Sequence, residues 1–320
     1  MSKSAAPAAA GQHTKAATGV AVSVIVPVRN GADDLRRLLA SLERQTLPRE
    51  RFEIVVGDDG STDADVRALA TEDGFVRVLS GPPLNSYAAR DRAVRGSTAP
   101  ALAFCDSDCL PAPDWLESGL AALERADLAA GEIRYEIPAR PTVWTLIEVD
   151  TYKDHARQVA ASNAETCNLF VRRRVYDRIG GFDDSLPEHG DFDFVQRAVA
   201  AGASLVYEPR ALVTHPTRDR ARPFLRSVWI YNRWYAAREV RAGRRPIGLQ
   251  LRSWVPLVQP LRSRLRYGRS LGLDRRRLAD HAVRPRLRER LAALPIMYVL
   301  LPYVCGAAQL RGWHDGRRLR

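Results

Sequence analysis

Four short apolar runs lie between residues 22 and 105, and helically spaced stretches separate and follow them; no other feature restricts the fold as much. The first run, Val22-Ser23-Val24-Ile25-Val26-Pro27-Val28, is β-branched and ends near a proline, as suits a strand buried on both faces. Gly31 then opens a helical pattern with Leu35, Leu38, Leu39 and Leu42 on one side. Phe52 to Val56 predicts a second strand, stopped by Gly57-Asp58-Asp59-Gly60-Ser61-Thr62-Asp63, and a helix follows from Asp65 to about Thr71. Phe75 to Leu79 predicts a third strand, a helix begins near Ser86, and Ala101-Leu102-Ala103-Phe104 is the fourth run. Strands alternating with helices over short connections predict a doubly wound, mostly parallel α/β sheet flanked by helices. Ligands of such sheets bind beyond the carboxyl ends of the strands, where Asp59 and Asp108 both fall.

The fourth run leads directly into Cys105-Asp106-Ser107-Asp108-Cys109. Two carboxylates one residue apart repel, and a divalent cation with oxygen ligands is the usual remedy. Pro111, Pro113 and Asp114 turn the chain before a helix restarts at Trp115. Cys105 and Cys109 flank the acids, but their spacing on an acidic loop is poor zinc geometry, so they are read as packing residues. In the 57–63 stretch the carboxylates do not alternate and no glutamate closes the loop, which excludes the calcium-loop pattern. A carboxylate at a strand end beside a glycine can accept the imide N–H of a pyrimidine or the N1–H of guanine. Asp59 fits either use, and it equally fits a helix N-cap, a role that Ser61 or Thr62 can fill. No GxGxxG follows the first strand, which argues against a nicotinamide or flavin enzyme.

Beyond residue 127 the alternation loosens. Leu128 to Ile137 predicts a strand, Val143 to about Val159 a helix, and Thr166 to Val171 another short apolar run. Gly180-Gly181-Phe182 reads as a turn. A helix opens at Asp191, with Asp193 beside it in the first turn, where the helix dipole favours acids; Asp193 is expected to cap or to form an ion pair. Ser204 to Tyr207 and Ala211 to Thr214 are short extended pieces, followed by His215-Pro216.

The net charge of +12 is unevenly spread: residues 218–320 hold 25 arginines against six acids, and the first 217 residues hold 24 basic against 31 acidic side chains. An acidic body with a basic tail suggests two tasks. Trp229, Tyr231, Trp234 and Tyr235 are interleaved with arginines, and Trp254 and Tyr267 recur further on. Leu294 to Leu310 is uncharged but holds Pro295 and Pro302, which predicts a re-entrant or surface-lying hairpin rather than a span. No nucleic-acid motif accompanies these features, so an anionic membrane surface is the expected partner, not nucleic acid. The extension also offers a surface for homo-oligomer formation. Residues 1–19 are Ala-rich and polar and read as a disordered leader, 20–217 as the folded α/β domain, and 218–320 as a basic, mainly helical extension. Four cysteines without a CxxC pair predict a reducing compartment, hence a cytoplasmic protein peripheral to the inner face of the cell membrane.

Taken in order, Ser23-Val24-Ile25-Val26-Pro27-Val28-Arg29-Asn30, Val56 to Asp63, Tyr87-Ala88-Ala89-Arg90 and Asp106-Ser107-Asp108 resemble glycosyltransferase family 2, inverting nucleotide-sugar transferases of the GT-A fold. The likeness continues through Cys167-Asn168-Leu169-Phe170, Ile179-Gly180-Gly181-Phe182-Asp183 and Gly190-Asp191-Phe192-Asp193 to His215. The resemblance implies a nucleotide-diphosphate sugar as donor and a polysaccharide, lipid-linked or other glycan acceptor. It places Pro27 and Arg29 at the border of the nucleotide pocket, Asp59 on the base and Arg90 near the diphosphate or sugar. Asp108, helped by Asp106 directly or through water, would hold Mg2+ or Mn2+ against the diphosphate, with His215 joining the metal or diphosphate site. Asp191 matches the catalytic base. Two departures stand out: Asp91 replaces a frequent asparagine, and Gly190 replaces the acid that often precedes the base, leaving Glu188 as a candidate substitute. A nucleotidyltransferase is the nearest enzymatic alternative but usually carries an early glycine-rich basic phosphate loop, absent here. A non-catalytic nucleotide-sugar-binding or scaffolding protein would not need Asp59, Asp108 and Asp191 together.

Overall fold

A computed structural model describes residues 19–151, 154–244, 273 and 275–318 of the chain. The leader up to residue 18, Trp254 and Tyr267 lie outside the described residues. The first half alternates as expected: β1 (Val22–Val28), α1 (Ala32–Leu42), β2 (Phe52–Asp58), α2 (Ala64–Arg67), β3 (Val76–Ser80), α3 (Ser86–Arg95) and β4 (Ala101–Cys105). These strands are parallel in the order β3-β2-β1-β4. The chain moves outward from β1 to β3 and then returns to the other side of β1. The ends of β1 and β4 therefore open a crevice at a topological switch point.

The second half supplies β5 (Leu110–Pro111), α4 (Trp115–Arg125), β6 (Leu128–Glu136), α5 (Val143–Thr151), α6 (His155–Ala160), β7 (Asn168–Arg172), α7 (Arg173–Ile179), α8 (Gly190–Ala200) and β8 (Leu205–Pro216). β7 is antiparallel to both β4 and β6, β8 is parallel to β6, and β5 closes the eight-stranded sheet antiparallel to β8.

Side-chain alternation sorts the core into two layers. Val24 and Val26 pack with Leu35, Leu38 and Trp115 on one face, whereas Ile25 packs with Phe104, Tyr176 and Phe194 on the other. Gly57 permits the layer that matters most for the site: a Cβ there would lie 2.0 Å from the Ala89 carbonyl oxygen. Without a side chain at 57, α3 seats directly on β2 and carries Arg90 to the crevice.

Several boundaries differ from the sequence expectations. The helix expected from Asp65 to Thr71 is the short α2, capped by Asp63, whose carboxylate accepts from the Asp65 amide at 2.9 Å. The single helix expected from Val143 to Val159 is divided into α5 and α6. The two extended pieces after Ser204 form one strand, β8, whose register against β6 shifts between Gly131 and Glu132. The buried Asn168 amide repairs that irregularity by donating to the Glu132 and Ala211 carbonyls, at 2.7 and 2.8 Å, while its oxygen accepts from Trp115 Nε1 at 2.9 Å.

The described part of the extension comprises α9 (Ala221–Arg241), α10 (Arg275–Asp280), α11 (Leu287–Pro295), a π-helical turn at Ile296–Leu300 and α12 (Leu301–Arg318). The hairpin expected around Pro295 and Pro302 is not formed. Leu287–Arg317 is one helical path, because the wider π turn and the first turn of α12 absorb the missing proline donors. At 31 residues it is long and apolar enough to cross a membrane, by length and composition alone. Among the described residues, every exposed large apolar side chain except Leu84 lies on this path: Leu287, Leu291, Val299, Leu300, Tyr303 and Leu310. α12 is clamped to α9 through Gly312, where a Cβ would meet the Arg233 carbonyl at 1.8 Å, and through an Arg233–Asp315 ion pair at 2.7 Å.

Candidate active site

Two adjoining cavities open at the carboxyl ends of β1, β2 and β4, and every residue expected at the site lines at least one of them. The first, about 360 Å³, is bordered by Pro27, Arg29 and Asp59. The second, about 240 Å³, is bordered by Asp191 and His215. Arg90, Asp106 and Asp108 stand on the wall that the two share.

The first cavity is built by the turns after β1 and β2. Asn30 takes a left-handed backbone (φ 51°) and ties these turns together. Its amide donates to Ser61 Oγ at 2.9 Å, and its side-chain oxygen accepts from the Thr62 amide at 2.8 Å. The two adjacent aspartates then take separate tasks. Asp58 is buried and structural: burial alone would raise its pKa, but hydrogen bonds from Ser61 hold the carboxyl below its usual range. Asp59 accepts from the Leu84 amide through Oδ1 at 2.7 Å, while Oδ2 lies 3.9 Å from Arg29 on the cavity border. Because Asp63 caps α2, the helix-cap reading of Asp59 does not apply.

On the shared wall the paired acids also divide. Arg90, 4% exposed, forms a short ion pair with Asp106 and lies over the Tyr87 ring at 5.5 Å. Burial alone would lower its pKa, yet Asp106 holds it above the ordinary value. Its Nε is buried without a hydrogen-bond partner among the described atoms. Asp108 instead stands with Cys109 and His215, whose ligand atoms all lie within 4.8 Å of one another. His215 Nδ1 is 2.7 Å from the Pro216 carbonyl, an obligate acceptor, so Nδ1 carries a proton and Nε2 is the ring nitrogen that would serve as a ligand. A carboxylate, an imidazole and a neighbouring thiol this close together fit a divalent cation.

In the second cavity Asp191 sits in the first turn of α8, its Oδ1 accepting from the Phe192 amide at 2.9 Å. Asp193 forms an ion pair with Arg197 at 2.7 Å, as expected of it. Asp91 is structural: it accepts from the Tyr176 hydroxyl and the Phe182 amide, pinning the Gly180-Gly181-Phe182 turn. His189, preceding α8, has φ 63° and donates from Nε2 to the Tyr231 carbonyl of α9 at 2.8 Å. Burial lowers its pKa to about 4, so it is a neutral strut between α9 and the Asp191 turn.

Sequence reasoning missed part of this cavity. Glu165, Arg218, Ser227 and Tyr231 also line it, although they come from a loop, the start of the extension and α9. Arg218 is anchored by an ion pair to the fully buried Glu148 on α5. Glu188, left open from the sequence, lines the cavity too; burial first and Asp191 second push its pKa up to about 7. No local pattern announces Ser227 or Tyr231, because only the packing of α9 against the sheet brings them there.

Comparison with known proteins agrees with this architecture. The solved mannosyltransferase PcManGT of Pyrobaculum calidifontis, in complex with GDP-Man and Mn2+, superposes with a TM-score of 0.59 over 94% of this chain and 88% of its own at 17% identity, which establishes the shared fold. The glycosyltransferase AglE of Haloferax volcanii is 33% identical over 210 residues, 63% of this chain and 68% of AglE. A pre-mycofactocin glycosyltransferase of Mycobacterium tuberculosis is 32% identical over 224 residues, 64% of this chain but 44% of that protein's length. The family model described as glycosyl transferase family 2 matches residues 23–180, from β1 to the end of α7. With this match, these relatives and the GT-A architecture, the chain belongs to glycosyltransferase family 2 and is a transferase.

Proposed function

We propose that the chain transfers a sugar, with inversion at the anomeric carbon, from a nucleoside diphosphate to a hydroxyl of a lipid-linked or surface-glycan acceptor. The observation that carries this reading is the shared wall: a cavity at Asp59 and a cavity at Asp191 meet at Arg90, Asp106 and Asp108. The nucleotide would lie in the first cavity, with its base N–H on Asp59 Oδ2 and Pro27 and Arg29 at its border. The acceptor would enter the second. Asp108 and His215, supported by Asp106, would hold Mg2+ or Mn2+, which neutralises charge on the diphosphate. Arg90 keeps Asp106 in place and adds a buried positive charge where the leaving phosphate becomes negative.

Asp191 takes the proton of the acceptor hydroxyl as its oxygen bonds to the anomeric carbon. The bond from that carbon to the phosphate oxygen breaks, and its electron pair leaves with the nucleoside diphosphate. The exposed apolar side chains on Leu287–Leu310, beside the exposed Arg284, Arg286, Arg288 and Arg311, support a peripheral position on an anionic membrane at its cytoplasmic face. The test is a panel of nucleotide sugars with simple glycolipid acceptors, following nucleoside diphosphate release and the product's anomeric configuration by NMR. Asp191→Asn should retain donor binding and lose transfer by roughly 100-fold or more. Retained anomeric configuration, or full activity of the variant, would refute the reading.

A further inference from the structure

We infer that Asp108, Cys109 and His215 form a mixed oxygen, sulfur and nitrogen site that takes a thiophilic divalent cation, of the Zn2+ or Cd2+ kind, through the Cys109 sulfur. The inference rests on a cation being held at Asp108, but it concerns a ligand that the reading above does not use.

The geometry sets the three side chains together. Cys109 Sγ lies 3.9 Å from Asp108 Oδ1, and the ligand atoms of all three residues fall within 4.8 Å of one another. Tetrahedral bonds of the usual zinc lengths put ligand atoms roughly 3.3–3.6 Å apart, so closure requires small side-chain rotations and leaves a fourth position for water or a ligand. The Nδ1 hydrogen bond to the Pro216 carbonyl orients the His215 ring and makes Nε2 the nitrogen that would bind the ion. Asp108 borders both cavities, whereas Cys109, its neighbour in sequence, is fully buried, so an ion would reach the thiol from the Asp108 side.

Chemistry then selects among ions. Mg2+ takes oxygen ligands and gains nothing from sulfur. Zn2+, Co2+ and Cd2+ accept imidazole and thiolate readily. Coordination would release the thiol proton to solvent, with no change of oxidation state. Cys105 and Cys167 surround Cys109 with two more buried thiols. The thiophilic ion would share Asp108 with the hard cation of the transfer reaction, so the two occupy the site in turn.

The experiment uses the full, reduced, metal-free chain without sugar donor, titrated with Cd2+ and followed by the ultraviolet sulfur-to-metal charge-transfer absorption. One equivalent should produce the band, and Mg2+ should produce none. Cys109→Ser should abolish the band and weaken Cd2+ binding by roughly tenfold or more, with Mg2+ affinity changed less than twofold. Cys109→Ala serves if the serine variant misfolds by circular dichroism, and Cys167→Ser and Cys305→Ser should keep the band. His215→Gln should weaken Cd2+ while preserving the absorption. A missing band in the wild-type chain, or one that survives both Cys109 substitutions, overturns the inference. The readout needs no transfer, so an inactive chain with the Cys109-dependent band would count against the proposed reaction alone.

Discussion

Replacing Glu188 with glutamine should stabilise the protein increasingly as pH rises from 5.5 to 8. Glu188 lines the second cavity, where burial, then Asp191, push its pKa up from 4.5 to about 7; Arg218 and Arg90 act in the opposite sense, and Glu165 adds to the rise. A carboxyl with a raised folded pKa ionises first in the unfolded chain. Below pH 4.5 it costs nothing; as pH rises toward 7 the unfolded state gains, and above 7 the penalty is constant. At about 1.36 kcal/mol per tenfold, the full penalty approaches ~3 kcal/mol at pH 8 and ~1 kcal/mol at pH 5.5. The side chain is only partly shielded from water, which reduces the expected change between those pH values to about 1–2 kcal/mol. Glutamine keeps the shape and carries no charge. Thermal melts of both proteins across this range should show the variant's advantage widening by roughly 2–6 °C. Parallel curves, with the same difference at both ends, would refute the assignment of Glu188 as a proton-holding neighbour of Asp191.

Asp59→Asn should weaken nucleoside diphosphate binding by roughly 10- to 100-fold, because a charged acceptor for the base N–H is lost; unchanged calorimetric affinity would remove Asp59 from the nucleotide site. Asn168→Ala strands Trp115 Nε1 and two carbonyls in the core. A loss of about 2–4 kcal/mol in denaturant unfolding is expected, and a loss below ~0.5 kcal/mol would show that the β6–β8 irregularity repairs itself. Truncation after residue 220 would remove Ser227 and Tyr231 from the second cavity, so the membrane reading needs point changes instead. The triple variant Leu291→Glu, Leu300→Glu, Tyr303→Glu should leave nucleotide binding intact and lose co-flotation with anionic vesicles; undiminished flotation would discard that face as the docking surface.

The half of the fold that carries the first cavity was legible because its determinants are local. Each β-branched run can bury both faces only inside a parallel sheet, and each polar break after a run falls at a strand end. Asp59, Asp106 and Asp108 are therefore near one another as a consequence of strand order alone. Asp191 could be placed in a helix's first turn from its neighbours, though not opposite Asp108. The later boundaries were less legible because they depend on distant partners: β8 is one strand only because β6 lies beside it and Asn168 fills its irregularity. The helical path from Leu287 likewise runs through its prolines, packed by way of α12 against α9.

Local pattern by itself determined the doubly wound sheet, the acids at its strand ends and the basic character of the extension, since each follows from hydrophobic period, turn chemistry and charge within a short stretch. Tertiary structure decided which acid meets which partner. Arg90 claims Asp106 and leaves Asp108 to His215; Cys109, taken from sequence as packing, joins that pair across more than a hundred residues; and α9 closes the second cavity through His189 and Tyr231. Such pairings depend on distances of a few ångströms between residues far apart in the chain, and only the packed sheet and helices set those distances.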